Sequence, residues 1–352
     1  MRIFALAIGG RERASSRLRV WDHLEWLGGR GHQIEADSVM AAGATAVDAG
    51  FVARLAACFP IWLGRFFRAD AILLQESMIL WPAVLLKNLG KPRRVVFDFS
   101  DPVDRIGRRS LVRRIRRRLF GLVTHGADAV VIENGAYGRE LASRAVNCVQ
   151  FYGPVDVSRY QAARTRVRTP TSSRPLRLGW TGSPGTFGFI APLMPVIDTV
   201  AREHAIELFL IGVSSVDHVF EHAQLTLAPW TEASEFELVP TFDLGLFRIE
   251  DSEDALWRGA GKLFIYLAAG VPFVATDRGI ARDVIRESGV GFAVADDDRW
   301  LDALSAAVSR ADLREAFAER SLGFARDNLS YERYRAQLAG LLEPPGEGNR
   351  VR

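Results

Sequence analysis

The sequence predicts an α/β protein built from two doubly wound domains. Three observations carry that expectation. Short, nearly continuous apolar runs alternate with longer helical patterns, which is how parallel strands covered on both faces read. The alternation occurs twice. A stretch rich in Arg, Pro, Ser and Thr, with no apolar period, separates the two sets. The length of 352 residues suits two domains better than one. Hydrophobic residues at 48% and charged residues at 25% allow two buried cores and exclude a disordered chain.

In the first set the strand candidates are residues 2–8, 33–39, 71–75, 94–99, 129–133 and 148–152. In the second they are 176–181, 206–211, 225–228, 244–247, 272–275 and 291–295. Helical periods cover 17–27, 111–123, 189–203, 262–269 and the region from 300 to 342. The expected organisation is a first domain over 1–160, a linker over 161–175 and a second domain over 176–328. A terminal helix over 329–343 should pack back toward the first domain, and the tail 344–352 should be disordered.

The net charge of +3 is too small to name a partner. The kind of cation says more, since only Lys87, Lys91 and Lys262 are lysines and the other basic residues are arginines. Cys58 and Cys148 form no paired motif, so no metal or redox site is implied. The apolar start reads as a first strand, because Gly9-Gly10-Arg11-Glu12-Arg13 follows it with no cleavage-like segment. Arg54, Pro60, Arg65 and Glu76 interrupt the apolar stretches, so no membrane-spanning helix is expected.

Several segments carry chemistry. Gly9 and Gly10 end the first strand. They either bring backbone amides to a phosphate or sugar, or form a plain strand-to-helix turn. Trp180-Thr181-Gly182-Ser183-Pro184-Gly185-Thr186 ends the seventh strand candidate. Ser183 is placed to cap a helix and Pro184 to start it, which makes a phosphate cradle or merely a capped helix start. Lys262 opens a helix, where a cation is electrostatically misplaced. An anion shared by Lys262 and the helix N-terminus removes the conflict, and a diphosphate is such an anion.

Taken in order, these segments resemble glycosyltransferase family four, the retaining enzymes of the GT-B fold. The run from Lys262 to Thr276 is similar to that family's segment against the donor, and Trp180 to Thr186 to the donor-phosphate loop of one subgroup. Ser15-Ser16-Arg17-Leu18-Arg19-Val20 resembles the start of its first helix. Asp243 to Phe247 resembles the strand before the donor loop, and Pro154-Val155-Asp156 the entry to its linker. The resemblance implies a GT-B architecture, two Rossmann-like doubly wound domains facing across a cleft. It implies a nucleotide-diphosphate sugar as co-substrate, no cofactor and no metal. Donor residues are then Gly9, Gly10, Gly182, Ser183, Thr186, Asp254, Lys262, Leu263 and Tyr266.

The chain departs from the family at two positions. Where members carry two glutamates eight positions apart, it has Trp257 and Ile265. Asp254 is the nearest substitute, among Glu250, Asp251 and Glu253. On the first domain, Asp98-Phe99-Ser100-Asp101 resembles an acidic cluster facing the acceptor in some relatives. Its carboxylates either orient an acceptor hydroxyl or form a turn before Pro102. Lys262, Asp98 and Asp101 are therefore the catalytic candidates.

Residues 105–118 hold eight arginines and no acid. Leu111, Ile115, Leu119 and Leu122 form one stripe at helical spacing. Such a helix either packs on a sheet with solvated arginines or lies on an anionic membrane surface. Arg17, Arg113, Arg114 and Arg117 are the acceptor or membrane candidates, and Trp62, Phe66 and Phe67 extend the apolar surface. Nucleic acid is not an expected partner. His218-Val219-Phe220-Glu221-His222 matches a zinc-peptidase string, but the expected context is a solvated helix face.

These features point to transfer of a sugar from a nucleotide diphosphate to a glycan or lipid-linked acceptor. The expected setting is bacterial envelope synthesis, cytoplasmic and peripheral on the inner membrane face. A non-catalytic relative and a nucleotide-sugar epimerase are the alternatives.

Overall fold

The computed structural model describes residues 1–41, 49–102, 104–105, 111–167 and 174–343. The tail, the linker residues 168–173 and the part of the basic run at 106–110 lie outside the described residues. The chain forms two compact units. Unit 1 holds Met1–Pro154, the short piece Trp257–Gly259 and the segment that begins at Glu332. Unit 2 holds Val155–Leu256 and Ala260–Tyr331.

The strands of unit 1 are β1 (Arg2–Ala7), β2 (Gln33–Ser38), β3 (Ala71–Gln75), β4 (Arg94–Phe99), β5 (Ala129–Ile132) and β6 (Cys148–Gln150). They make one parallel sheet in the order β2-β1-β3-β4-β5-β6. Alternation places Phe4, Leu6, Ile72, Leu74, Val95, Phe97 and Phe99 on one face, against Trp62, Phe66, Phe120 and Val123. Ile3, Ala5, Ala71, Leu73, Val96 and Val131 lie on the other, against Leu27, Tyr334, Leu338 and Leu342 of the terminal helix Tyr331–Leu342. Both faces are covered, which is why the strands read as unbroken apolar runs.

Unit 2 has β7 (Leu176–Thr181), β8 (Ile206–Ile211), β9 (Gln224–Ala228), β10 (Leu244–Phe247), β11 (Phe273–Thr276) and β12 (Phe292–Val294). Its parallel sheet runs β9-β8-β7-β10-β11-β12. Leu178, Trp180, Leu208, Leu210, Leu244 and Leu246 pack on Ile190, Met194, Ile197, Trp300 and Leu304. Glycines let rings lie directly on the other face. A Cβ at Gly179 would fall 2.0 Å from the Phe242 ring, and one at Gly245 2.5 Å from the Tyr266 ring.

All twelve expected strands form, whereas the helices differ in several places. The segment read as the linker, 161–175, is helical in its first part, as the continuation of a helix that spans Val157–Val167. Val157, Tyr160 and Ala163 are buried there, a stripe too narrow to stand out among arginines. The apolar helix Ala49–Arg68 continues past Pro60, which lies inside it. By length and composition Gly50–Arg68 could cross a membrane. Its Trp62 and Phe66, expected on the apolar surface, are instead fully buried in unit 1, and its Arg54 and Arg65 pair with Asp37. Burying a large apolar side chain stabilises by about 1.5–3 kcal/mol, so these two fix which face turns inward. Finally, the zinc-like string lies in a loop, not on a helix. Asp198 accepts the amides of Glu221, His222 and Ala223 and so fixes that loop.

Candidate functional site

In sheets of this kind ligands bind at the carboxyl ends of the strands, where the strand order reverses. In unit 2 the reversal falls between β7 and β10. The chain leaving β7 there is Gly182-Ser183-Pro184, followed by a single helical turn, Pro184–Phe187. Ser183 occupies the cap position with Pro184 behind it, but its hydroxyl makes no capping bond. Thr186 donates its hydroxyl to the Ser183 carbonyl at 3.0 Å. The Gly182 amide is likewise committed, donating to Ile211 at 3.0 Å. Gly182 is therefore not an amide donor for a phosphate; what matters there is the missing side chain. A Cβ would lie 2.6 Å from the Trp180 indole and 2.8 Å from Cε of Lys262. Gly212, at φ +97°, is tighter still, because a Cβ would fall 1.9 Å from the Gly182 carbonyl.

Lys262 is the second residue of the helix Gly261–Ala268, whose N-terminus no side chain caps and whose first turn holds no acid. Its Nζ stands 5.3 Å from the centre of the Trp180 ring. Among the described residues it makes no hydrogen bond and no ion pair. Burial pushes its pKa down to about 8, opposed by the charge of Glu235. Glu235 itself accepts from the Tyr160 hydroxyl at 2.9 Å and from the Trp230 indole. This edge thus gathers a half-buried ammonium, an uncapped helix N-terminus and a carboxylate already engaged by neutral donors.

Three other donor candidates sit elsewhere. Leu263 and Tyr266 are fully buried core residues, and the Tyr266 hydroxyl donates to the Leu246 carbonyl at 3.2 Å. Helical spacing turns both inward while Lys262 turns out. Asp254 is half-buried on the 3-10 turn Asp254–Leu256; the carboxylate that acts on Lys262 is Glu235. Glu235 has no motif, and only its place in the first turn of the helix Glu232–Leu238 marks it.

In unit 1 the order reverses between β1 and β3. The Gly9 amide donates to Ser16 Oγ at 3.1 Å and its carbonyl accepts from the Trp21 indole, so it is closed to a ligand. Gly10 continues the same turn, its carbonyl accepting from Arg13. Asp98 is 0% exposed. Arg19 donates to one of its oxygens and the Tyr334 hydroxyl to the other at 2.6 Å. Burial pushes its pKa up while Arg19 pulls it down. A carboxylate so enclosed reaches no acceptor hydroxyl, which corrects its assignment as a catalytic candidate. Asp101 is half-buried and accepts the Gly259 amide at 2.6 Å; burial raises its pKa.

Sequence reasoning missed Glu133, which follows β5. It is 4% exposed, with Oε1 held by Arg19 at 2.6 Å and Oε2 buried without a partner among the described residues. Burial pushes it up to about 6, with Arg19 pulling down and Asp101 and Asp98 pushing up.

The basic helix is Leu111–Gly126. Phe120 and Val123 carry it into the core, while Leu111 and Ile115 are 65% and 50% exposed. The first half of the apolar stripe is therefore uncovered. Arg114 and Arg117 are exposed, but Arg113 turns in to the carbonyls of Asp104 and Arg105. Arg17, at 5% exposure, is buried and cannot face a membrane.

The chain is similar along its length to solved structures. Sucrose-phosphate synthase from Thermosynechococcus elongatus is 11% identical with a TM-score of 0.71, covering 97% of this chain and 98% of that one. HepE of Anabaena, solved in complex with UDP, is 11% identical with a TM-score of 0.68, covering 97% and 99%. WaaG, a glycosyltransferase involved in lipopolysaccharide biosynthesis, is 15% identical with a TM-score of 0.65, covering 98% and 100%. The fold is GT-B. No protein-family model matches the sequence, and no curated protein does. In GT-B terms, unit 2 carries the β9-β8-β7-β10-β11-β12 dinucleotide-type sheet, with Lys262 at its reversal point.

Proposed function

We propose that this protein transfers a sugar from a nucleotide diphosphate to a glycan or lipid-linked acceptor, with retention at the anomeric carbon. The observation that carries the reading is Lys262, a half-buried cation with no counter-charge in contact among the described residues, at an uncapped helix N-terminus beside Gly182. A departing diphosphate supplies the missing anion, and stabilising that leaving group is the largest service the protein can offer an oxocarbenium-like transition state. Lys262 and the helix dipole then do the work otherwise assigned to a metal. The UDP complex of HepE supports the choice of carrier. The retaining course rests on the family resemblance, with a donor phosphate oxygen taking the acceptor proton.

Trp257 and Ile265, standing where family four has glutamates, favour a second reading as a sugar-nucleotide binder without turnover. Thermal unfolding against UDP, GDP, TDP and ADP, without metal, tests the shared part. One diphosphate at a hundredfold excess over its dissociation constant should add about 2.7 kcal/mol of stability. A flat response to all four removes the donor assignment. Binding of the cognate sugar nucleotide with no product over any acceptor selects the second reading.

The basic helix supports a peripheral place on the cytoplasmic face of the membrane. Arg114, Arg116, Arg117 and Arg118 are exposed beside Leu111, Val112 and Ile115. Each surface cation contributes about 1 kcal/mol toward an anionic leaflet. Sedimentation with vesicles containing phosphatidylglycerol should exceed that with pure phosphatidylcholine. Arg114→Glu with Arg117→Glu, or high salt, should abolish the difference. Equal sedimentation with both lipids rejects the membrane role.

A further inference from the structure

The helix Glu232–Leu238 starts from a capping box. The Thr231 hydroxyl accepts the Ser234 amide at 2.9 Å, and Ser234 Oγ accepts the Thr231 amide at 2.8 Å. That start fixes the helical phase, which turns residues 235, 236 and 239 inward. Phe236 and Val239 suit the interior; Glu235, at 7% exposure, does not. Burying a carboxylate is costly unless a partner answers its charge, and a residue kept against that cost is a candidate for function. Here the partners are neutral. The Tyr160 hydroxyl donates to one oxygen at 2.9 Å and the Trp230 indole to the other. A nearby cation is not used: Arg159, next to Tyr160, lies 3.8 Å from the centre of the Phe236 ring and pairs with the exposed Glu232. Glu235 is thus held in place, and no cation touches it among the described residues.

Its charge faces the edge where Lys262 stands. Trp230 follows β9 as Gly182 follows β7 and Gly212 follows β8, and the three pack together. The place of a Cβ on Gly212 is 3.3 Å from Trp230 Cβ and 1.9 Å from the Gly182 carbonyl oxygen, and Gly182 lies against Trp180 and Lys262. Burial lowers the pKa of Lys262 and the charge of Glu235 raises it. Burial raises that of Tyr266, one turn further along the same helix, and Glu235 adds to it. The other charges on the elements packed around these helices are committed or exposed. Arg164 donates to the carbonyls of Ala269 and Gly270, Arg174 pairs with Asp243, and Arg248 pairs with Asp297. Arg314 donates to the carbonyls of Ala307 and Val308, and the remaining charged residues of the helix Ala311–Asn328 are exposed, as are Arg166 and Glu237. In the free protein, then, Glu235 offsets part of the Lys262 charge. Toward a seated diphosphate it is a like charge, and in a poorly hydrated setting such charges act without contact. We propose that Glu235 is a positioning residue that acts through Lys262: pinned by Tyr160 and Trp230, it steadies the ammonium in the free protein and loosens the nucleoside diphosphate after transfer. This deepens the glycosyl-transfer reading and rests on it for the identity of the anion. Product release limits turnover in many enzymes, so a carboxylate that weakens the product without touching it serves the reaction.

The chain has only three lysines, Lys87, Lys91 and Lys262, so NMR of protein carrying isotope-labelled lysine Cε reads the titration of Lys262 directly, and Lys262→Met assigns its signal. Glu235→Gln, which is isosteric, should move that titration to lower pH. Near pH 6 it should also bind whichever of UDP, GDP, TDP and ADP the protein takes about tenfold more tightly, chiefly through slower dissociation. Above pH 8 the gain should shrink, because Lys262 of the variant has lost its proton. Glu235→Asp keeps the charge and should keep both the Lys262 titration and the fast dissociation. Unfolding midpoints establish that both variants fold. An unmoved Lys262 titration in Glu235→Gln, or an affinity that falls there by the same factor at every pH, overturns the proposal and leaves Glu235 a purely structural hydrogen-bond acceptor. If no nucleotide binds the unaltered protein while the Lys262 titration still moves, the transfer reading fails and the coupling of Glu235 to Lys262 stands without it.

Discussion

Lys262→Met is expected to lower affinity for the nucleotide diphosphate by about a hundredfold while leaving the free protein as stable as before or more so. The two halves of that result have one cause. A half-buried ammonium without a counter-charge in contact is tolerated, not stabilising, and burial has already pushed its pKa down to about 8. The ordinary lysine value is 10.5, so at neutral pH the charged form costs the fold on the order of 3 kcal/mol. Methionine keeps the stem against Trp180 and removes the charge. A diphosphate reverses the balance, because charge-assisted bonds in a poorly hydrated site are worth about 1.5–3 kcal/mol each. The pH dependence follows in sign. A lysine depressed in the fold binds fewer protons there than in the unfolded chain between about 8 and 10.5, so stability of the free protein rises through that window. Nucleotide affinity runs the other way, level below about 8 and falling up to tenfold per unit above it. Calorimetric titration at neutral and alkaline pH, with unfolding curves for both proteins, checks both statements. If the variant unfolds more easily and binds UDP as well as before, Lys262 is a structural residue.

The place of Lys262 at a helix N-terminus was legible in the sequence, where it stands out as a scarce residue in an unfavourable position. The same elementary reasoning gave the twelve strands. Runs such as Arg2–Ala7 and Ala71–Gln75 are buried on both faces, and a doubly covered strand has to be apolar throughout. Helices were harder. Val157–Val167 buries three side chains on one edge and carries arginines elsewhere, so its period hardly rises above its surroundings. Leu263 and Tyr266 show the opposite case. Family resemblance puts them at the donor and helical spacing puts them in the core, where both are fully buried and the Tyr266 ring lies on Gly245.

Buried charges were the least legible part. Nothing in the letters separates Arg19 from an arginine on the surface. Its partners lie 79 and 114 positions away, at the ends of β4 and β5. Only the register of the sheet brings Asp98 beside Glu133, and only the terminal helix brings Tyr334 to Asp98. The same applies to Glu235, drawn toward Lys262 by the fold of unit 2. Motifs report local backbone needs; pairs distant in sequence have to await the topology.

Arg19→Met should be the most destabilising single substitution in unit 1, by about 3–5 kcal/mol, a large part of the 5–15 kcal/mol that holds a typical domain together. Burial works against the Arg19 charge, but Asp98 and Glu133 outweigh it and hold its pKa above the usual range. Removing the guanidinium leaves two carboxylates at 0% and 4% exposure with no cation in contact among the described residues. The loss should depend on pH. Glu133 titrates near 6 in the fold against an ordinary 4.5, so the native state binds more protons across that interval and stability falls as pH rises through it. Without Arg19 both carboxyls shift higher, and the window widens upward. The variant should therefore lie closest to the unaltered protein near pH 5 and furthest from it near pH 8. Adding Asp98→Asn and Glu133→Gln should restore most of the stability. Neutral amides need no counter-charge, and the amide oxygen introduced by Asp98→Asn still accepts the Tyr334 hydroxyl. Urea unfolding at the two pH values reads the outcome. A loss below about 1 kcal/mol, the scale of a surface ion pair, would show that water reaches the cluster and that the burial argument is wrong.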